Sequence, residues 1–489
     1  MRICAILGPT LFPKITMKML RFRISITLTL GVALIAAGAA AKPLNVLLIT
    51  IDDLRPELGA YGVNAAYTPN IDRLAEKGIK FENAFCQYPV CNPSRSSFLT
   101  GLRPDELGIV SNQIPLRQKW PDIVTLPQLF RNNGYFTAGI GKLFHAGLDD
   151  QGNRTLFQDD ASFDHFFRAY NQSRQYRDQA FLEGRGRLLG DQTVGWAHWI
   201  ADEGGDEAQP DGQNAQEAVR IMEENASKPF FIGVGFHKPH DPFIAPKEYF
   251  ERYPLDEIEL AKIPEDQTPP LEYSTPGNYN FQTYTDRDRR EFKRAYLACT
   301  TFVDAQVGKL LATMDRLELW DNTIVVLMGD HGYHLGEHSW WNKVTVFDIG
   351  ARAPFMIWVP GSIHMGRSTD SVVEFVDLYP TLADLCKLDA PHELSGQSLR
   401  SIIENRATID KPAYTQVTRS KIGMGYSVRF GDWRFTQWGK EGEGGYELYN
   451  TVEDRIGYYN LADNPEYASI REQLSAMLRI GYPVLQKNG

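Results

Sequence analysis

The stretch NVLLITIDD, residues 45–53, is a largely apolar, β-branched run, Asn45 to Ile51, that stops abruptly at two carboxylates, Asp52 and Asp53. A segment apolar on both faces reads as a buried strand of a parallel sheet, since an antiparallel strand with one wet face would alternate. The same texture returns at Phe230 to Phe236 (FFIGVGF), which runs into His237-Lys238-Pro239-His240. It returns again at Thr323 to Met328 (TIVVLM), which ends at Gly329-Asp330-His331-Gly332. Shorter strands are predicted at Phe81 to Phe85, Phe136 to Ile140 and Pro354 to Val359. Helices are predicted at Ile71 to Lys77, closed by Gly78, at Ser94 to Thr100, ended by Gly101, and at Ile123 to Asn132. A long amphipathic helix is predicted at Arg287 to Leu319, where Phe292, Tyr296, Cys299, Phe302 or Val303, Val307, Leu310 and Met314 recur at helical spacing. Strands alternating with helices give an α/β class with a largely parallel sheet.

From about Asp370 the texture changes. The segments YSVRF, RFTQW and YELYN alternate with period two and predict a small antiparallel sheet, with a closing helix at about Ser469 to Ile480. The expected organisation is therefore a segment 1–41 outside the fold, a catalytic α/β domain over 42–369, and a smaller α+β subdomain over 370–489. Residues 148–215 are polar, aromatic and loop-rich and read as an insertion shaping a pocket mouth; 254–285, with its prolines, reads as another loop.

Lys14, Lys18, Arg21 and Arg23 precede an apolar run from Ile24 to about Ala41 that contains Ala37-Gly38-Ala39, the pattern of a cleavable secretory signal. A membrane anchor is the weaker reading: the run is rich in Ala and Gly, is barely long enough to span, and has no positive stop behind it. The expectation is a secreted or periplasmic protein of bacterial origin without a stable membrane anchor. The chain has 51 basic and 61 acidic residues; losing residues 1–41 removes five basic ones and leaves 46 against 61, a net charge of −15. Such a surface excludes non-specific nucleic-acid binding, and an anionic substrate would need positive charge concentrated in a pocket. Of five cysteines, the four beyond the leader, Cys86, Cys91, Cys299 and Cys386, are widely spaced, with no zinc pattern and no disulfide framework.

The polar clusters at Asp52-Asp53, His237 to His240 and Asp330-His331 each follow the C-terminal end of a buried strand, the edge where open α/β sheets bind ligands. One Asp at a strand end is usually a cap or turn residue. Adjacent carboxylates there need a positive partner, and a hard divalent cation held by Asp52, Asp53 and Asp330 would serve.

Cys91-Asn92-Pro93-Ser94-Arg95, followed by Leu99-Thr100-Gly101-Leu102-Arg103-Pro104, resembles the signature of the type I, formylglycine-dependent sulfatases. The stretches DDLRPELGAYG (52–62), GKLFHAG (141–147), FHKPHDPF (236–243) and GDHGYHLGEH (329–338) are similar to those of the iduronate-2-sulfatase and bacterial polysaccharide-sulfatase kind. The resemblance runs from about Leu44 to about Leu461. It implies an alkaline-phosphatase/sulfatase-like fold, a large mixed sheet flanked by helices with a small C-terminal antiparallel-sheet subdomain. It implies a sulfuric ester hydrolase in which a maturing, formylglycine-generating enzyme oxidises Cys91. Asp52, Asp53, Asp330 and His331, with an oxygen of modified Cys91, would hold one Ca2+ or Mg2+. Arg95 and Lys142 would orient the modified residue, His145 would be its base, and His240 and Lys343 would bind the sulfate and assist the leaving oxygen. The substrate implied is a sulfated mono- or oligosaccharide, such as a 2-O-sulfated uronate, attacked at a chain end. His237 either binds substrate or closes its turn; Glu337 and His338 are candidate supports; Trp340 and Trp341 are a sugar platform or packing. Two other readings remain open at this point: a phosphate or phosphonate ester hydrolase of the same superfamily, and a non-catalytic polysaccharide-binding protein.

Overall fold

The computed structural model describes residues 42–149, 151–170, 174–190, 194–363 and 365–486; the expected leader lies outside them. Asn45–Ile51 is the centre of an eight-stranded sheet. It pairs in parallel with Phe230–Phe236 on one side and Thr323–Gly329 on the other. Phe136–Gly141 and then His165–Phe167 extend the first side, also in parallel. On the second side Phe355–Trp358 runs antiparallel, and Ile79–Phe85 and Arg367–Glu374 follow. The sheet is mixed because of that one reversed strand; the other seven point the same way.

Alternation along the central strands divides the core in two. Val46, Leu48, Phe231, Ile324, Val326 and Met328 face a layer built on the helices Cys91–Thr100, Leu126–Asn132 and Leu378–Cys386. Leu47, Ile49, Ile51, Ile232, Val234 and Leu327 face the helices Pro69–Lys77, Pro210–Asn225 and Asp286–Arg316. Covering both faces is what made these strands continuous apolar runs. Cys299 lies in the core, as its helical spacing predicts. No helix among the described residues is long and apolar enough to cross a membrane.

Two expectations are corrected. The region 148–215 is more than a loop. His165–Phe167 is a strand of the large sheet, Gly186–Leu188 and His198–Asp202 form a small sheet with Phe243–Pro246, and Pro210 opens a sixteen-residue helix. These strands are too short to show periodicity. The helix of Cys91 begins at Cys91 rather than Ser94. Pro93 at its third position is tolerated because the first N–H groups of a helix have no internal partner. The division expected at 369/370 falls inside the edge strand Arg367–Glu374.

The small antiparallel sheet is four strands, Ala413–Arg419, Gly423–Phe430, Trp433–Trp438 and Tyr446–Asn450, and helix Ala468–Gly481 packs on it through Leu474 and Leu478. Its attachment is polar as well as apolar. The Tyr414 N–H donates to Glu374 Oε1 at 2.9 Å, and Thr415 Oγ1 donates to the Cys86 carbonyl at 2.7 Å.

Two glycines allow the strands of the site to approach. Gly141 has φ +74°, and a Cβ there would lie 2.1 Å from the Gly235 carbonyl oxygen; a Cβ at Gly235 would lie 2.0 Å from that of Lys142. Both contacts are to backbone and have nowhere to go. Gly235→Ala is expected to cost about 1–3 kcal/mol in urea unfolding, whereas Gly205→Ala, with nothing within 4 Å of the new Cβ, should stay within about 0.5 kcal/mol of the parent. Equal stability of the two variants would contradict the packing described.

Candidate active site

Parallel register brings the predicted residues together. Ile51 is level with Phe236 and with Gly329, so Asp52, His237 and Asp330 leave neighbouring strands at one height. Gly141 is level with Gly235, which brings Lys142 to the same edge. Cys91 arrives as the first residue of the buried helix Cys91–Thr100, whose Gly101 closes it with φ +72°. Its N-terminal end points partial positive charge toward the cluster.

Asp52, Asp53, Arg95, Asp330 and His331 are each 0% exposed. Arg95 Nε donates to Asp330 Oδ2 at 2.9 Å and its Nη2 lies 3.4 Å from Asp52 Oδ1. Lys142 pairs with Asp52, and Lys343 Nζ lies 2.5 Å from Asp53 Oδ1 and 3.1 Å from Cys91 Sγ. The Asp53 N–H donates to Asp330 Oδ1 at 3.0 Å. Burial opposes ionisation of Asp52, but Lys142, His240, Arg95 and a bond from His237 outweigh it and hold the carboxyl well below its usual range. Burial pushes Asp53 up, with the neighbouring carboxylates adding to it against Lys343. Burial and the charge of Asp52 push Asp330 up to about 7 against the pull of Arg95. Burial, then Asp52, pushes the Cys91 thiol up to about 12, so at neutral pH it is not a thiolate. Lys343 is held well above its usual value: burial works against its charge, but Asp53, Cys91 and Asp52 prevail.

The histidine tautomers follow from their backbone partners, because a carbonyl oxygen only accepts. His331 Nδ1 donates to the Gly332 carbonyl at 3.0 Å, leaving a lone pair on Nε2. That Nε2 lies 3.4 Å from Asp53 Oδ1 and 3.6 Å from Asp330 Oδ1. Burial, then Lys343, pushes His331 down to about 4, so the ring is neutral. A neutral lone pair facing two carboxylate oxygens is repulsive unless a cation lies among them. Asp52 Oδ1, Asp53 Oδ2 and His331 Nε2 are buried without hydrogen-bond partners. One ligand atom each from Asp52, Cys91, Asp330 and His331 lies within 4.8 Å of the others. The donor set fits a divalent cation, three carboxylates suiting Ca2+ or Mg2+ and the imidazole being the unusual member.

Above this cluster opens a cavity of about 820 Å³ with Lys142, His145, His237 and His240 in its wall. His145 Nδ1 donates to the Ala146 carbonyl and His240 Nδ1 to that of Asp241, each at 2.6 Å, so each ring keeps a lone pair on Nε2, that of His240 lying 4.0 Å from Asp53 Oδ2. Burial lowers both rings well below the usual histidine range, reinforced by Lys142 at His145 and Lys343 at His240. His237 joins the site: its ring stacks on His240 at 4.6 Å and Nδ1 lies 3.4 Å from Asp52 Oδ2. Its backbone is held by Asp211, which accepts from the N–H groups of His237 and Lys238 at 2.9 and 2.8 Å.

The other candidates are structural. Glu337 pairs with Arg55, His338 stacks on Phe347 at 4.0 Å, and Trp340 and Trp341 are 4% and 2% exposed against Phe281 and Phe292. Asp241, Asp211, Arg154 and Arg168 went unnoticed in the sequence. Asp241 was signalled by its place in FHKPHDPF; the arginines sit in a stretch without periodicity. Lys343 is positioned from the C-terminal sheet: Val344, at φ +71°, donates its N–H to the Pro89 carbonyl at 3.2 Å, and its own carbonyl accepts from Arg419 at 2.8 Å.

Residues 44–388 match the sulfatase family, and 336–480 match the C-terminal region of N-sulphoglucosamine sulphohydrolase. The chain belongs to the sulfatase family and is a sulfatase, an enzyme that hydrolyses sulfate esters. Among its relatives, iduronate 2-sulfatase of Mus musculus is 33% identical over 85% of this chain and 89% of its own. Two solved structures share the fold. A phosphonate monoester hydrolase of Agrobacterium radiobacter has TM-score 0.72 at 20% identity, covering 89% of this chain and 95% of its own. A protein in complex with its substrate D-glucosamine-2-N,6-O-disulfate has TM-score 0.71 at 21% identity, covering 91% and 99%.

The raised Asp330 gives the cation a pH signature. With its folded value near 7, against about 3.9 unfolded, its contribution favours folding at low pH and is lost as pH rises through 7. A cation that binds only the folded site restores the loss, by about 2.7 kcal/mol at a hundredfold excess over Kd. Adding Ca2+ to chelator-treated protein should raise Tm by several degrees at pH 8 and by less at pH 5. Asp52→Asn should abolish the rise; an unchanged rise in that variant would remove the cation from this site.

Proposed function

We propose that this sulfatase hydrolyses a sulfate ester of a carbohydrate, acting at Cys91 after its conversion to formylglycine and with one Ca2+ or Mg2+ held by Asp52, Asp53, Asp330 and His331. The observation that carries the reading is the lone pair of His331 facing two buried carboxylates beside Cys91. The Cys91 thiol, held protonated, is a poor nucleophile as it stands, which favours modification over direct use. Hydrated formylglycine at Cys91 would supply two hydroxyls on one carbon, one as the nucleophile toward sulfur and one to release the sulfate afterwards. Bound by these residues, a divalent cation would supply Lewis-acid polarisation.

The remaining work belongs to the side chains. Arg95, bonded to Asp330, and Lys142, paired with Asp52, fix the modified residue and offset charge that develops near it. His145, neutral and with a lone pair on Nε2, takes the proton from the second hydroxyl. Lys343, kept charged by Asp53, donates N–H bonds to the sulfate oxygens. His240, neutral in the free protein, takes up a proton at Nε2 when the anionic ester binds and passes it to the departing alcohol oxygen as the S–O bond breaks. His237 steadies Asp52 and the His240 ring. The similarity to iduronate 2-sulfatase supports a sulfated sugar, a 2-O-sulfated uronate among the candidates. Export through segment 1–41 and maturation by a formylglycine-generating enzyme complete the reading.

The test is inorganic sulfate release by protein co-expressed with such an enzyme, on sulfated uronate and hexosamine oligosaccharides with phosphate and phosphonate monoesters as controls. Sulfate is expected from one sugar class, and Cys91→Ala should fall at least about a thousandfold, the scale of losing a nucleophile. Phosphate release without sulfate, from protein shown by mass spectrometry to be converted, would overturn the reading. His240→Gln should lower kcat more for sugar esters than for 4-nitrophenyl sulfate, whose leaving group needs no proton; equal losses would deny His240 the proton transfer.

A further inference from the structure

Two arginines of the cavity wall have no part in the chemistry above. Arg168 follows directly on strand His165–Phe167, and Arg154 lies on the facing loop; both line the same cavity as His145 and His240. The Arg168 guanidinium lies 3.3 Å from the centroid of the Phe157 ring and that of Arg154 lies 5.3 Å from it. Two like charges thus share one aromatic surface. Among the described residues neither forms an ion pair with a carboxylate, whereas the arginines at the cluster below and on most of the surface do. Burial, then the charge of Arg154, pushes Arg168 down to about 10. An unpaired pair of cations in a pocket of an acidic protein lacks an anion that the ligand can supply.

Their placement is tied to the chemistry. The Ala169 N–H donates to Asn214 Oδ1 at 3.1 Å, and Asn214 Nδ2 donates to Asp211 Oδ1 at 3.2 Å. Asp211 is the carboxylate that holds the backbone of His237 and Lys238. Arg168 and the histidine pair are therefore fastened to one helix end, Pro210–Asn225, and keep a set separation.

We propose that Arg154 and Arg168 form a second anion subsite, so that the preferred substrate carries, beside the sulfate ester that is cleaved, another oxyanion on the same or the adjoining sugar. The oxyanion is a carboxylate or a second sulfate; the planar guanidinium forks suit either. The proposal rests on the sulfatase reading and names the substrate class within it.

The test compares kcat/KM of matured protein on a 2-O-sulfated uronate disaccharide and its carboxyl-reduced form, on glucosamine 6-O-sulfate with and without a 2-N-sulfate, and on 4-nitrophenyl sulfate. The parent should favour the doubly charged member of one pair by about tenfold or more, and that pair identifies the anion. Arg168→Gln should erase most of that ratio, Arg154→Gln part of it, and Arg168→Lys, which keeps the charge, should recover some of it. No preference in the parent, or a variant that slows every substrate alike, would overturn the subsite. Sulfate release from 4-nitrophenyl sulfate without any such preference sinks the subsite alone. Failure to release sulfate from any substrate sinks the sulfatase reading and the subsite with it.

Discussion

Everything at the working end of this protein depends on one electrostatic constraint. Three carboxylates, Asp52, Asp53 and Asp330, are completely buried at the ends of adjacent parallel strands. The strands are buried on both faces, so the register that crowds these groups is fixed by the apolar core and cannot relax. Arg95, Lys142 and Lys343 balance them one for one. Protein charges alone therefore leave the cluster close to neutral and the lone pair of His331 unanswered. With a divalent cation added, the same cluster becomes an electropositive pit in an acidic molecule, and an anionic ester gains by entering it.

How much of this was legible in the sequence depended on the kind of signal. Asn45–Ile51, Phe230–Phe236 and Thr323–Gly329 declared themselves because total burial removes alternation, and the charges stopping each run marked the ligand edge. Parallel pairing then made the site predictable, since residues that end such strands must meet. The Cys91 motif added the identity of the chemistry, which spacing could not supply. His237 was undecidable in sequence because its role comes from stacking on His240 and from Asp211, a residue 26 positions away.

What stayed hidden was built from short or irregular pieces. His165–Phe167 has three residues, too few to show a period, yet it carries Arg168 to the cavity. Trp340 and Trp341 illustrate the opposite error, since two adjacent tryptophans beside a site suggest a sugar platform. Here both sit in an aromatic core with Phe281 and Phe292, and large apolar side chains near a site are more often its foundation than its wall.

The clamp on Val344 bears on how such a protein can change over generations. A β-branched residue in the left-handed region costs of order 1–3 kcal/mol, and its φ of +71° persists between the Pro89 carbonyl and Arg419 of the small sheet. The lysine next to it takes its bearing from that strained link. The C-terminal sheet therefore cannot be exchanged between relatives as an interchangeable module. A recombinant joined between the two parts would inherit the lysine from one parent and its aim from the other, and descent should keep the two segments together.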